Sequence, residues 1–299
     1  MQETKLIGTD FDATFGRFVA VSGNTLAVGA GDTKRFPLGS GSGAVYVFSK
    51  VDNTWTLETR IEPSNRLGHD DVFGSVLSMS GNTLVASGVA GTSDQPNLVV
   101  DVFSRNGSIW SEDAELIAPS GADSVEAFGA SVALSGDTLV VGAPETLLLG
   151  FPIGEGSPGS AYVYIRENGT WSLEAKLVAD DGVRGDGFGG AVAVDGDTIA
   201  VGAPFAIEKG QPVYLFMRDG KAWIPSAKLT GGSLVIGGNS LAINADLLAI
   251  VGNGVRIFEK NAGLWHENWR LAYPNDDQED TFSTLVGSVA LASCCCLGG

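Results

Sequence analysis

Scanned for alternation of apolar and polar positions, the chain breaks into short strand-like runs, and no window sustains a helical period. One stretch shows the pattern clearly. Runs at 131–134, 138–141, 160–165 and 171–178 are rich in Val, Ile, Leu and Tyr and are bounded by turn residues. Ser135-Gly136-Asp137 separates the first two, and Asn168-Gly169 precedes Trp171 between the last two. Both compositions belong to tight hairpins whose central residues take positive φ. The stretch is therefore predicted as four antiparallel strands.

The same unit returns along the chain. A Phe-Gly pair followed by two strands joined by a Gly-containing turn begins at Phe15, Phe73, Phe128 and Phe188. A worn copy starts at Gly237, and a fragment of a sixth is visible at 287–293. Each full copy continues into a shared second half, as at 43–63, 159–179 and 254–274. Four-stranded units repeating at this spacing predict an all-β fold, a β-propeller of four-stranded antiparallel blades. Five complete blades plus parts of a sixth are expected, within a single domain 1–299. Residues 4–7 match the fourth strand of a copy and 288–292 match a first strand, so these ends are expected to lie side by side. The second and third strands of that last blade are missing, which leaves two readings, a chain truncated at its C-terminus or a ring that closes imperfectly. Cys294, Cys295 and Cys296, the only cysteines, read as part of a frayed end, since neighbours in sequence bridge only with strain.

The Phe-Gly openings and the closing Gly142-Ala143-Pro144 and Gly202-Ala203-Pro204 resemble the FG-GAP repeat. That repeat builds the propeller of integrin α-subunits and of many bacterial and algal surface proteins. The resemblance implies a ring that usually has seven blades, an extracellular or cell-surface location, and a role in binding or adhesion. The residues carry a physical reading of their own. Glycines allow neighbouring strands to approach closely, and Phe15, Phe73, Phe128 and Phe188 are expected to pack between blades.

Charge narrows the partners. With 18 Lys+Arg against 35 Asp+Glu, the net charge is −17, which argues against nucleic acid. An apolar share of 44% argues against wholesale disorder. The longest uncharged stretch, 281–299, is too rich in Ser, Thr and Gly to insert in a membrane. The opening MQETKLIG shows neither the basic nor the apolar region of a signal peptide.

Candidate chemistry is sparse. His69 and His266 are the only histidines, and neither sits in a metal-binding or triad pattern. Two GxGxxG matches, at 154–159 and 185–190, do not open a helix after a parallel strand, so no dinucleotide cofactor is expected. In integrin-like repeats an acidic loop between the first two strands holds Ca²⁺. Here it shrinks to turns such as Asp195-Gly-Asp-Thr198, far short of the six to eight oxygens that Ca²⁺ takes, so no metal and no cofactor are expected. No catalytic residues are assigned. Trp55, Trp110, Trp171, Trp223 and Trp265 recur at the start of the fourth strand. They read either as packing between blades or as the stacking platforms of a propeller lectin with one sugar site per blade. A carboxylate pair on separate loops, as in an accessory domain of a surface hydrolase or lyase, would be invisible in sequence. Asn106-Gly-Ser108 and Asn168-Gly-Thr170 are glycosylation sequons on hairpin tips.

Up-and-down blades place the two short hairpins on one face and the long, dissimilar connections on the other. Variable loops on a rigid scaffold are where binding resides. The expected partner is a protein or glycan ligand. The residues expected to meet it are Arg35 and Phe36 in the 31–42 loop, Leu147, Leu148 and Phe151 in the 145–158 loop, and Arg184 and Asp186 before the fourth copy. The leucines alternatively fold inward as a plug of the central channel. Arg184-Gly185-Asp186 also spells the tripeptide that integrins recognise in their ligands.

Overall fold

Two-residue hairpins fix the register of every blade. First and second strands are joined by turns whose first central residue has positive φ: Gly23, Gly81, Gly136, Gly196 and Ala245. This is the type II′ pattern, whose twist suits the flanking strands. The hairpins between third and fourth strands place both central residues at positive φ in three blades: Asp52 with Asn53, Asn168 with Gly169, and Ala262 with Gly263.

In the computed structural model, the described residues are 6, 15–30, 43–63, 73–92, 95–119, 126–145, 156–230, 240–252 and 254–271. They form five four-stranded antiparallel sheets, each in simple sequential order. These are the predicted propeller blades, spanning 19–61, 77–117, 131–177, 191–229 and 240–271. The third comprises Ser131–Ser135, Thr138–Ala143, Ser160–Glu167 and Thr170–Leu177, close to its predicted runs. Among the described residues there is no α-helix, only a 3-10 turn at Ile207–Lys209. The pieces read as a sixth blade and the cysteines lie outside the described residues. Leu6 alone is described there, packed against the blade 1 cluster of Val28, Tyr46 and Phe48.

First strands of successive blades lie against one another. Together they line a central channel of about 430 Å³. Val19, Val21, Val132, Leu134, Val192 and Val194 line it, and its walls carry no acid, base or histidine among the described residues.

Blades are joined at three radii. On the loop face, the Phe-Gly turn of one blade drives its carbonyl against the second strand of the preceding blade. A Cβ on Gly142 would stand 2.0 Å from the Gly189 carbonyl oxygen, and one on Gly29 would stand 2.1 Å from that of Gly74. Blade 2 carries Ser87 at this position, and its hydroxyl donates to the Gly129 carbonyl at 2.6 Å. Phe73, Phe128 and Phe188 are buried at the interfaces: Phe128 packs with Val85 and Val100 of blade 2 and with Tyr162 and Tyr164 of its own blade, whereas Phe15 is half-buried against Tyr46 and Phe48 of its own blade.

At the inner rim of the opposite face, a side chain ending each first strand accepts a backbone N–H from the next blade's turn. Ser22 accepts from Gly81, Ser80 from Gly136, Ser135 from Gly196 and Asp195 from Ala245.

Every fourth strand carries a β-bulge, and two of the outer links depend on it. All five blades slip register at the same repeat position, opposite Val47/Phe48, Val102/Phe103, Val163/Tyr164, Leu215/Phe216 and Ile257/Phe258. Bulges re-aim side chains. The extra residue is Glu58 in blade 1 and Glu174 in blade 3, and each carboxylate meets an Arg of the next blade: Arg105 at 3.1 Å and Arg218 at 3.0 Å. Arg105, Arg166 and Arg218 also donate to Thr25, Thr83 and Thr138 of the preceding blade. Each guanidinium lies over its own blade's Trp, at 5.9, 5.4 and 4.4 Å for Trp110, Trp171 and Trp223. Trp110, Trp171 and Trp223 therefore take part in inter-blade links, the packing alternative of the two read from sequence.

Gly142→Ala is expected to cost about 1–3 kcal/mol by overpacking against backbone. Gly136→Ala, which meets nothing within 4 Å, is expected to cost about 1 kcal/mol from its positive φ alone. Thermal unfolding of the two variants checks the order. Ala245, at φ 48°, holds a conformation that suits glycine. Ala245→Gly is expected to stabilise the protein by up to about 1 kcal/mol, seen as a raised Tm, after the entropy gained by the unfolded chain is offset.

Candidate functional site on the loop face

The connections around blades 3 and 4 contain a buried polar network. Glu126, before blade 3, and Glu145, just after its second strand, form an isolated antiparallel bridge through their backbones. Their side chains are 1% and 2% exposed. A carboxylate so far from water needs donors. Glu126 receives three hydroxyls, from Ser157 at 2.9 Å, Ser160 at 2.7 Å and Tyr162 at 2.9 Å, with the Lys176 ammonium at 3.6 Å. Glu145 accepts from Arg184 Nε at 3.2 Å and from the Gly185 amide at 2.8 Å. Gly156 makes room for that pair, since a Cβ there would sit 2.3 Å from Glu145 Oε1.

The next connection repeats the arrangement. Asp186 accepts from the Val183 amide at 2.8 Å and from Lys209 Nζ at 2.7 Å. Its carbonyl accepts the Phe205 amide, which ties the loop before blade 4 to the loop between its second and third strands. Asp181 accepts from Tyr214 at 2.9 Å and from Lys228, and its backbone carbonyl accepts from Lys209. The Lys228 hydrogen bond, followed by that from Tyr214, holds the Asp181 carboxyl below the usual range.

Burial, and then the facing carboxylate, push the Tyr162 and Tyr214 hydroxyls well above the usual tyrosine value. Burial alone pushes Tyr164 up to about 12. All three therefore remain neutral donors throughout the physiological range. Glu126 and Glu145 are enclosed and occupied by donors, which suits bracing.

Of the seven residues expected to meet a partner, Arg35, Phe36, Leu147, Leu148 and Phe151 lie outside the described residues. The other two are brought into one network. Arg184 keeps 43% of its side chain exposed while bonding Glu145. Asp186 is 5% exposed, its carboxylate turned inward, so the tripeptide does not display its Arg and Asp together. His266 is exposed on a strand, and the 185–190 glycines lead into a strand rather than a helix.

Several residues of the network went unread in the sequence although they left a signal. Tyr46, Tyr162 and Tyr214 pair across the third and fourth strands with Arg60, Lys176 and Lys228, always fourteen residues later. Blade 2 places Asp101 opposite Glu115 instead. With Glu112 they form a cluster whose carboxylate oxygens lie within 4.8 Å of one another. Offering one ligand atom each, they supply three of the six to eight oxygens that Ca²⁺ takes.

A native tyrosine pKa raised above the unfolded value of about 10 gives stability that is full below pH 10 and declines as pH rises toward the native value. The protein is expected to lose stability progressively above about pH 10. In Tyr162→Phe and Tyr214→Phe, denaturant melts across that range should fall less steeply, even though each variant is weaker at neutral pH.

Comparison with known proteins accords with this architecture. Residues 1–48, 110–164 and 171–216 match the FG-GAP repeat. No curated protein sequence matches significantly. Among solved structures, a putative 6-phosphogluconolactonase from Bacteroides fragilis is 14% identical, over 86% of this chain and 85% of that one, with a TM-score of 0.48. Sqt1 of Saccharomyces cerevisiae is 10% identical, over 90% of this chain and 65% of that one, with a TM-score of 0.50. At such identities the likeness concerns the fold alone. The matched repeats, the Phe-Gly turns seated on second-strand glycines and the five sequential sheets make this chain a member of the FG-GAP repeat family.

Proposed function

We propose that this chain is a non-enzymatic recognition module that binds a protein or glycan partner through its loop face, at the cell surface or outside the cell. One observation carries the reading. Val183, Arg184, Phe205 and Ile207 are exposed on loops whose base is locked by the buried Glu145 and Asp186. Rigid loops with exposed apolar and Arg side chains lose little entropy on binding and resemble interface hot spots. The aliphatic channel and the enclosed carboxylates support binding over catalysis. The Arg-covered Trp rings favour the loop face over one Trp platform per blade.

Glycan and peptide arrays probed with the purified chain, followed by hydrogen-exchange footprinting of any hit, test this. The expected footprint covers 178–190 and 203–212. A footprint on the short hairpins, or chemical conversion of the bound molecule, overturns the proposal.

A further inference from the structure

The loops before and within blade 4 concentrate exposed apolar surface. Phe205 is 60% exposed, Ile207 70% and Val183 56%. They share one anchor, Asp186: its carboxylate accepts the Val183 amide, its carbonyl accepts the Phe205 amide, and the Phe205 carbonyl accepts the Ile207 amide. Phe205 lies along Gly187, where a Cβ would approach its ring to 2.5 Å. The apolar side chains are thus held outward by a polar hub. Local collapse to hide them would break the Asp186–Lys209 ion pair.

The rim of this patch is acidic. Asp180 and Glu208 are exposed beside it and make no ion pair among the described residues. The neighbouring cations are already engaged within the chain: Arg184 by Glu145, Lys209 by Asp186 and Lys228 by Asp181. A second copy would bring another net charge of −17 against the first, so self-association through this face is opposed. A neutral sugar can donate hydroxyls to the rim carboxylates but brings no opposite charge to them.

Resting on the loop-face reading above, we infer that the patch of Val183, Phe205 and Ile207 docks a protein segment presenting an aromatic or aliphatic side chain flanked by Lys or Arg. The apolar residue covers Phe205 and Ile207, and the basic flank faces Asp180 and Glu208. Long-range attraction to an acidic chain speeds the encounter, and apolar contact holds the complex.

The test is selection of a random phage-displayed peptide library on the immobilised full-length chain. Binding of the synthesised winners is then measured by fluorescence polarisation. Winners are expected to combine an aromatic or aliphatic residue with Lys or Arg. Their affinity should fall about tenfold or more in the Phe205→Ser/Ile207→Ser double variant. It should be unchanged in Ile109→Ser, an exposed residue on the opposite face. Raising salt from about 0.01 M to about 0.15 M should weaken binding, as the screening length shrinks from about 30 Å to about 8 Å. If the double variant melts early, Ile207→Ser alone is used.

Winners that bind the patch variants undiminished overturn the inference. If their hydrogen-exchange footprint still lies on the loop face, the general reading stands; on the short hairpins, both fall. Winners that are acidic or salt-insensitive overturn the basic partner. A library that yields no enriched sequence overturns the inference, whereas a glycan hit footprinted on the loops leaves the general reading intact.

Discussion

The carbonyl of each Phe-Gly turn presses against the second strand of the blade before it, and this close approach sets the geometry of the ring. Gly29 and Gly142 stand where any side chain would occupy the space of a neighbouring carbonyl oxygen. The contact brings the blades near enough for Phe73, Phe128 and Phe188 to be fully enclosed. It also brings strand ends close enough for hydroxyl and carboxylate side chains to reach the next turn. Even the one exception among the first three blades obeys the constraint, since Ser87 uses the short distance for a hydrogen bond.

Two different materials join the blades. The middle of each interface is aliphatic and aromatic, and contributes cohesion in proportion to the area removed from water. Its rims are polar and directional. The bulges of blades 1 and 3 belong to the second category, because the unpaired Glu58 and Glu174 project their carboxylates toward the next blade. Glu174 serves twice, accepting from Arg218 and from the Trp223 indole at 2.9 Å.

The blades were legible in the sequence because each is written several times, and turn chemistry is local. Gly136 and Asn168-Gly169 specify their hairpins whatever surrounds them. The bulge was not legible, since nothing in Leu173-Glu174-Ala175 distinguishes it from an ordinary alternating strand. The network of the loop face was legible only in part. Arg184 and Asp186 could be picked out as charged residues of a loop, but the inward turn of Asp186 depends on Lys209, which arrives one hairpin later. Glu126 and Glu145 meet only because their backbones pair across blade 3, a relation between distant residues that has no local signature. Repetition could have exposed the pairs of Tyr with Arg or Lys, which keep their separation in three blades.

The polar rims differ from one junction to the next. Beyond the Arg–Thr link common to all three, the junction of blades 1 and 2 joins Glu58 to Arg105; that of blades 2 and 3 uses Ser87 on the Gly129 carbonyl; that of blades 3 and 4 joins Glu174 to Arg218 and Ser131 to the Gly189 carbonyl. Such differences act as addresses. A chain of near-identical repeats risks docking the wrong neighbours as it folds, a characteristic failure of repeat proteins. A blade 4 seated on blade 2 would exchange Glu174, which accepts from both Arg218 and the Trp223 indole, for the shorter Asp113 at the same bulge. Apolar packing is non-directional, so the charged and hydroxyl side chains at the edges of each interface add the information that favours one order of assembly.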